Sequence, residues 1–290
     1  MKIFKIQPIP FKGLAKTSVL RRAGATTMLA SALVLSACQS VQTTSGGTVG
    51  IDRQQRMSSM VSESSLRESA VKAYAQTLGE EKQKGALNAD PAMTQRVRNI
   101  AARIIPTTAA FRAEAPKWAW EVNVIKSDQL NAWCMPGGKI AFYSGIIDKL
   151  QLTDDEIAAI MGHEIAHALR EHARERASEQ LGAQAGLLIL GVATGSKATA
   201  DMVGAAYNVT FGLPHSRTHE TEADRMGVEL AARAGYDPRA AVSVWQKMAK
   251  VSGGKGPEFL STHPSADTRI KDLEDYSVRV QPLYEQSRRR

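Results

Sequence analysis

The sequence predicts a mainly helical α+β domain built around a small three-stranded sheet, and three observations carry that reading. A strongly capped helical pattern starts at Thr153, three short strand-like runs lie between Trp118 and Ser144, and helical patterns flank both. The chain has 290 residues, enough for one such domain with a sizeable core and little more, and shows no internal repeat, so no helical-repeat domain is expected.

Helical segments are expected near 55–79 and 91–105, the second opening on Asp90-Pro91, a capping residue followed by proline at the first helical position. From Trp118 to Lys126, Trp120, Val122, Val124 and Lys126 alternate with Ala119, Glu121, Asn123 and Ile125, the pattern of a half-buried strand. Asn131 to Met135 and Lys139 to Ser144 read as two more strands joined by Pro136-Gly137-Gly138, a tight turn where glycine supplies positive φ. Thr153 with Glu156 forms a capping box, Asp154 and Asp155 suit the positive end of the helix, and Ile157, Ile160, Met161, Ile165, Ala168 and Leu169 make an apolar stripe. Arg170, Glu171, His172, Arg174, Glu175 and Arg176 then read as a solvated face. Leu181 to Gly195 is apolar but too short and interrupted to span a membrane, so a buried or membrane-facing helical hairpin reaching about Phe211 is expected. Asp237-Pro238 opens a helix whose stripe of Ala241, Val244, Trp245, Met248 and Val251 reads as core.

Within the capped helix stands His163-Glu164-Ile165-Ala166-His167. At about 3.6 residues per turn, histidines four apart point the same way and can grip one metal ion, with Glu164 beside them. Zinc held there lowers the pKa of a water to about 7, and the carboxylate takes its proton for attack on an amide carbonyl. Two histidines leave the ligand set incomplete. On a continuous helix His172 would lie about 140° around from His167 and cannot reach the metal. The metzincin pattern needs Gly at 170 and His at 173, where this chain has Arg170 and Ala173. A carboxylate from the run Ser216 to Asp224 is the alternative, with Glu220 and Asp224 one turn apart on one face; Glu222 points away and reads as surface, as do His215 and His219.

The run from Met161 to His172, the pattern Arg217-x-x-Glu220-x-x-Ala223-Asp224, and Ser261-Thr262-His263-Pro264 followed by Arg269 together resemble the gluzincin zinc metallopeptidases of the HtpX, CAAX prenyl endopeptidase and Oma kind. The layout is most similar to the periplasmic LoiP-like and BepA-like proteases, without the helical-repeat part. The resemblance spans roughly residues 60 to 275. It implies a zincin-like domain with the sheet over the active-site helix and one Zn2+ per chain. It also implies Glu220 as third ligand beside His163 and His167, Glu164 as catalytic base, and Asp224 orienting the ligands from behind. In that family a strand of the sheet pairs with an extended substrate, a position matched by Asn131, Ala132 and Trp133; Asn131 either clamps the peptide backbone or closes a turn before the strand. His263 matches a histidine near the zinc, where it assists the oxyanion or completes a closed shell, unless it serves only as the entrance to a helix starting at Pro264.

The N-terminus speaks to location. Residues 1–37 hold six cations and no acid, with Arg21-Arg22 ahead of the apolar stretch Met28 to Leu35. The ending Leu35-Ser36-Ala37-Cys38 resembles a bacterial lipobox, so 1–37 reads as a lipoprotein signal peptide and Cys38 as the lipidated residue, the alternative being plain export cleaved near Ala37. Gln39 in place of Asp points to the outer membrane, periplasmic face. Residues 38–54, rich in Gln, Ser, Thr and Gly, read as a flexible tether, 55–280 as the metallopeptidase domain and 281–290 as a basic tail. Without the leader the formal charge falls from +8 to +2, which removes any argument for nucleic-acid binding. Cys134 is then the remaining thiol, expected to be buried and inert. The function expected is a zinc endopeptidase that cleaves unfolded or misassembled envelope proteins, with polypeptide substrates and outer-membrane assembly machinery as partners. The competing expectation is a latent or chaperone-like assembly factor whose zinc site is closed by His263.

Overall fold

The computed structural model describes residues 38–182, 216–251, 259, 261, 263 and 267–289. In chain order they form β1 (Cys38–Val41), β2 (Gln55–Ser58), α1 (Glu63–Gln83), α2 (Pro91–Ile104), β3 (Glu121–Ile125), β4 (Ala132–Met135), β5 (Lys139–Tyr143), α3 (Ser144–Lys149), α4 (Asp154–Leu169), α5 (Arg217–Arg233), α6 (Ala240–Val251) and α7 (Asp267–Ser287), with a further helical run over 172–182. The mainly helical α+β class read from the sequence is the one observed. The expected hairpin lies outside the described residues apart from 181 and 182, as do the leader and His215. Among the described residues no helix is long and apolar enough to cross a membrane.

The three-stranded sheet has the order β3-β5-β4, with β5 parallel to β3 and antiparallel to β4. Its turn is the expected glycine pair, Gly137 at φ 83° and Gly138 at φ 87°. The alternation expected for β3 does not hold as a buried face and a wet face: Asn123, Val124 and Ile125 are all buried. The reason is a second layer. Val124, Ala132, Ile140 and Phe142 pack toward α2 and α4, while Ile125, Met135 and Ala141 pack against Ala70, Ala73 and Tyr74 of α1, so both faces are covered.

Helix α4 is the centre of the fold. Its capping box forms as expected, but the apolar stripe is an understatement, because every residue from Glu156 to Leu169 is buried. A helix covered on all sides needs neighbours on all sides, and β4, α2, α5 and α6 supply them. The tightest contact is with α5, where two glycines meet. A Cβ on Gly162 would sit 2.6 Å from the Gly227 carbonyl oxygen, and one on Gly227 would sit 2.6 Å from the His163 nitrogen.

Two boundary expectations are corrected. Residues 38–54 are not a free tether. β1 pairs with β2 from Cys38↔Ser58 to Val41↔Gln55, Thr44, Val49 and Ile51 are buried, and the Val49 amide donates to Glu229 at 2.9 Å. Of the small polar side chains that suggested a tether, Ser45 donates to the Ala110 carbonyl and Thr44 accepts from Arg170; Gln42 and Thr43 bond within the strap, and the aliphatic Val49 and Ile51 anchor it in the core. Gln55 to Ser58 accordingly form a strand, and the helix expected from 55 begins after Ser62 caps it. At the other end α7 continues through Ser287, whose hydroxyl donates to the Ala232 carbonyl at 3.0 Å, so most of the expected tail is packed helix.

The glycine crossing makes a direct prediction. Gly227→Ala forces the backbones of α4 and α5 apart and costs about 1–3 kcal/mol of unfolding free energy, whereas Gly79→Ala on α1, where a Cβ meets nothing within 4 Å, is neutral or stabilising. Urea unfolding of both variants beside the parent checks it.

Candidate active site

Because α4 and α5 touch along their backbones, the side chains on their facing surfaces converge at the upper end of the crossing. His163 and His167 on α4 bring their Nε2 atoms to 3.1 Å, and Glu220 on α5 places carboxylate oxygens 3.6 Å and 3.4 Å from those two nitrogens. His263 joins them, with Nδ1 3.0 Å and 3.2 Å from the Glu220 oxygens and 3.2 Å from His163 Nε2. One ligating atom from each of the four residues lies within 4.8 Å of the others, and each residue is at most 6% exposed. This donor set fits zinc, which takes imidazole nitrogen and carboxylate oxygen. Glu164 agrees with that fit: its carboxylate is 3% exposed and Oε1 has no hydrogen-bond partner, 3.4 Å from His263 Nε2. A buried acceptor left in this way costs about 1–3 kcal/mol in a site with no other use for it.

Burial pushes the Glu164 carboxyl up, the direction that suits a base working near neutral pH. Strand β4 packs directly on α4. For Glu220 burial opposes the charge, but His263 and His167 more than offset it and the carboxyl lies well below its usual range. Burial holds His167 in the neutral form that a metal ligand needs.

Behind the cluster, Asp224 meets His163 Nδ1 at 3.0 Å and is gripped by Arg269 at 2.6 Å and 2.7 Å; Arg269 also reaches Glu220 at 2.8 Å. Asp224 thus meets the ring nitrogen of His163 that faces away from the cluster. Arg269, which the sequence marks only as part of a motif, ties the Asp224 and Glu220 carboxylates of α5 together. His172 stays outside the metal cluster, but not for the reason given by a helical wheel. The helix breaks at Arg170, Glu171 takes φ 52°, and the chain restarts so that His172 Nδ1 comes back to 2.8 Å from His167 Nδ1.

The polar run after His167 is a second correction: Arg170, Glu171, His172, Glu175 and Arg176 are buried, not solvated. Glu222 and His219, expected at the surface, are buried too. Glu222 accepts from Arg53, Arg170 and His172, and His219 Nε2 lies 3.0 Å from Glu175. What covers them is the strap, whose Arg53 bonds both Glu175 and Glu222 at 2.7 Å. No local signal marks Arg53, which meets its partners more than a hundred residues away in sequence.

On β4, Ala132 is buried and Trp133 turns away from α4 to meet the Tyr74 ring edge-on at 5.7 Å. The Asn131 carboxamide oxygen accepts from the Ala132 amide at 2.9 Å, closing the turn into the strand. Cys134 is half-buried rather than buried, and burial together with Glu164 pushes its thiol well above the usual value.

A buried helix carrying two histidines and a carboxylate, completed by a glutamate from the next long helix, is the architecture of a zincin-type metallopeptidase. The chain belongs to Peptidase family M48, whose profile matches residues 91–277. It is similar to the mitochondrial metalloendopeptidase OMA1 of Arabidopsis thaliana, 36% identical over 165 residues covering 57% of this chain and 33% of that protein. The same protein of Schizosaccharomyces pombe is 34% identical over 174 residues, covering 58% and 50%. The beta-barrel assembly-enhancing protease of Yersinia pestis is 26% identical over 253 residues, covering 83% and 47%. The chain thus spans a third to a half of the length of these curated relatives.

The buried carboxylates set a pH dependence. For Glu175 burial opposes the charge, and hydrogen bonds from Arg53, His219 and Gln55 more than offset it, holding the carboxyl well below its usual range. The stability this supplies is fully present above the unfolded pKa of about 4.3 and is lost as pH falls below it. Glu175→Gln should therefore be less stable than the parent at neutral pH, with the gap closing between about pH 5 and pH 2. Urea midpoints measured across that range test this.

Proposed function

We propose that this protein is a zinc-dependent endopeptidase of the bacterial envelope acting on unfolded or misassembled polypeptides. The observation that carries the reading is the convergence of His163, His167 and Glu220 beside the buried Glu164, whose Oε1 has no hydrogen-bond partner. In this reading those three residues hold one zinc ion per chain. Zinc bound there supplies Lewis acidity that activates water and polarises a peptide carbonyl. Glu164 takes the proton from the water and delivers it to the leaving amine, which its raised pKa favours. Asp224 and Arg269 fix the orientation of His163 and Glu220. The edge strand β4, with Asn131, Ala132 and Trp133, offers backbone groups to an extended peptide, which selects main chain over side chain and so suits unfolded substrates.

His263 supports a second, compatible reading, in which the conformation described is latched. It lies within the ligand cluster, and four protein donors make a closed shell of the structural kind. Displacement of His263 by substrate or by a partner then opens the position that water needs, where the ring is free to assist the oxyanion.

The leader and Cys38 place the protein, in this proposal, at the periplasmic face of the outer membrane, in keeping with the bacterial relatives named for beta-barrel assembly; outer-membrane assembly machinery is the partner this suggests. Because β1 begins at Cys38, a lipid there would hold the domain close against the membrane with no slack.

Glu164→Gln should keep its zinc and lose at least about a hundredfold in cleavage of an unfolded protein such as reduced casein; metal analysis and a gel assay read the two, and wild-type cleavage would overturn the proposal. His263→Ala should retain zinc and cleave faster than the parent if the ring is a latch, and slower if it serves the oxyanion. Incorporation of labelled palmitate that disappears in Cys38→Ser checks the anchor.

A further inference from the structure

His163 and His167 both turn Nε2 toward the metal cluster and Nδ1 away from it, and each Nδ1 meets another side chain. For His163 that partner is Asp224, gripped by Arg269. For His167 it is a second imidazole, His172, at 2.8 Å. Two ring nitrogens this close are one donor and one acceptor. If Nε2 of His167 offers its lone pair to a metal, the proton of that ring sits on Nδ1 and is donated to His172. His172 then carries its own proton on Nε2, which points at Glu222 Oε2 3.0 Å away. Glu222 is held in turn by Arg170, which is fully buried, and by Arg53 of the strap at 2.7 Å and 3.0 Å. Arg170 also donates to the Arg53 carbonyl at 2.9 Å, and Gln55 donates to the Arg170 carbonyl, so the strap and the helix end lock each other.

We propose that His172 and Glu222 are positioning residues for the metal site, fixing the ring and the proton of His167 as Asp224 does for His163, and that Arg53 makes the segment 38–58 part of this arm. The proposal rests on His167 being a metal ligand, as proposed above. Its physical content is that a ligand imidazole whose other nitrogen is hydrogen-bonded is held in the binding tautomer and orientation, and removing such a partner lowers metal affinity by about 10–100-fold.

The test compares zinc dissociation constants, measured by competition with a chromogenic chelator, and the visible spectrum of the Co2+-substituted protein. His172→Asn places an oxygen acceptor near the position of Nδ1, whereas His172→Leu has the same size and none. His172→Leu should lose about 10–100-fold in zinc affinity with an altered Co2+ band, and His172→Asn should stay within a few-fold of the parent. Glu222→Gln and Arg53→Ala should weaken zinc in the same direction by less. Thermal unfolding confirms that each variant is folded. Equal affinity in parent, Asn and Leu variants, or equal loss in Asn and Leu, overturns the proposal, because a merely structural role would not separate those two. Should the Leu variant not fold, wild-type affinity in Glu222→Gln overturns it instead. His167→Ala is the control on the underlying reading: if it binds zinc as the parent does, His167 is no ligand and the error lies there.

Discussion

The crossing of α4 and α5 at Gly162 and Gly227 is the contact on which the rest of the structure depends. Only residues without Cβ allow two helix backbones to meet at this distance, and the meeting point lies directly beside His163. With a larger separation the Glu220 carboxylate could not stand 3.4 Å from His167 while Asp224, one turn along, stands 3.0 Å from His163. The same contact closes one side of α4, whose other sides β4, α2 and α6 cover. The site is thus a consequence of how two helices pack, more than of any loop.

Such packing puts many charges in the interior, and unpaired buried charges are costly. Here they come in linked sets. Arg269 joins Asp224 to Glu220 and lies over the Trp245 ring at 4.0 Å, while Arg170 and Arg53 enclose Glu222. Removing one member strands its partners, so these arginines hold the carboxylates in place rather than add much net stability. The strap over 38–58 belongs to this arrangement. It brings one of the arginines, and it shields the polar run after His167 from water.

The fold class, the capped helix, the three strands and their glycine turn were readable from the sequence, because they depend on neighbours three or four residues apart or on alternation along one strand. Glu220 and Asp224 stand out in the sequence by their motif and by helical spacing from each other. The roles of His172, Glu222 and Arg53 were not readable. His172 fails a helical-wheel test that assumes an unbroken helix, and the break at Glu171 invalidates that test. Glu222 looks like surface because its partners are 50 residues away in His172 and 169 away in Arg53. The strap looked like a tether because composition records the polarity of Gln, Ser and Thr but not which buried group each will bond.

The sequence by itself determined that one helix carries His163, Glu164 and His167 on converging faces, since helical geometry is local and the capping box marks its start. Only the tertiary structure decided which groups stand around that helix: His263 within the cluster, Arg269 and Asp224 behind His163, and His172 with Glu222 behind His167. The glycine crossing brings α5, with Glu220 and Asp224, against α4; the break at Glu171 sets His172 back onto His167; and the chain after α6 brings in His263 and Arg269. Apart from the break, these act through space between residues that no local spacing connects.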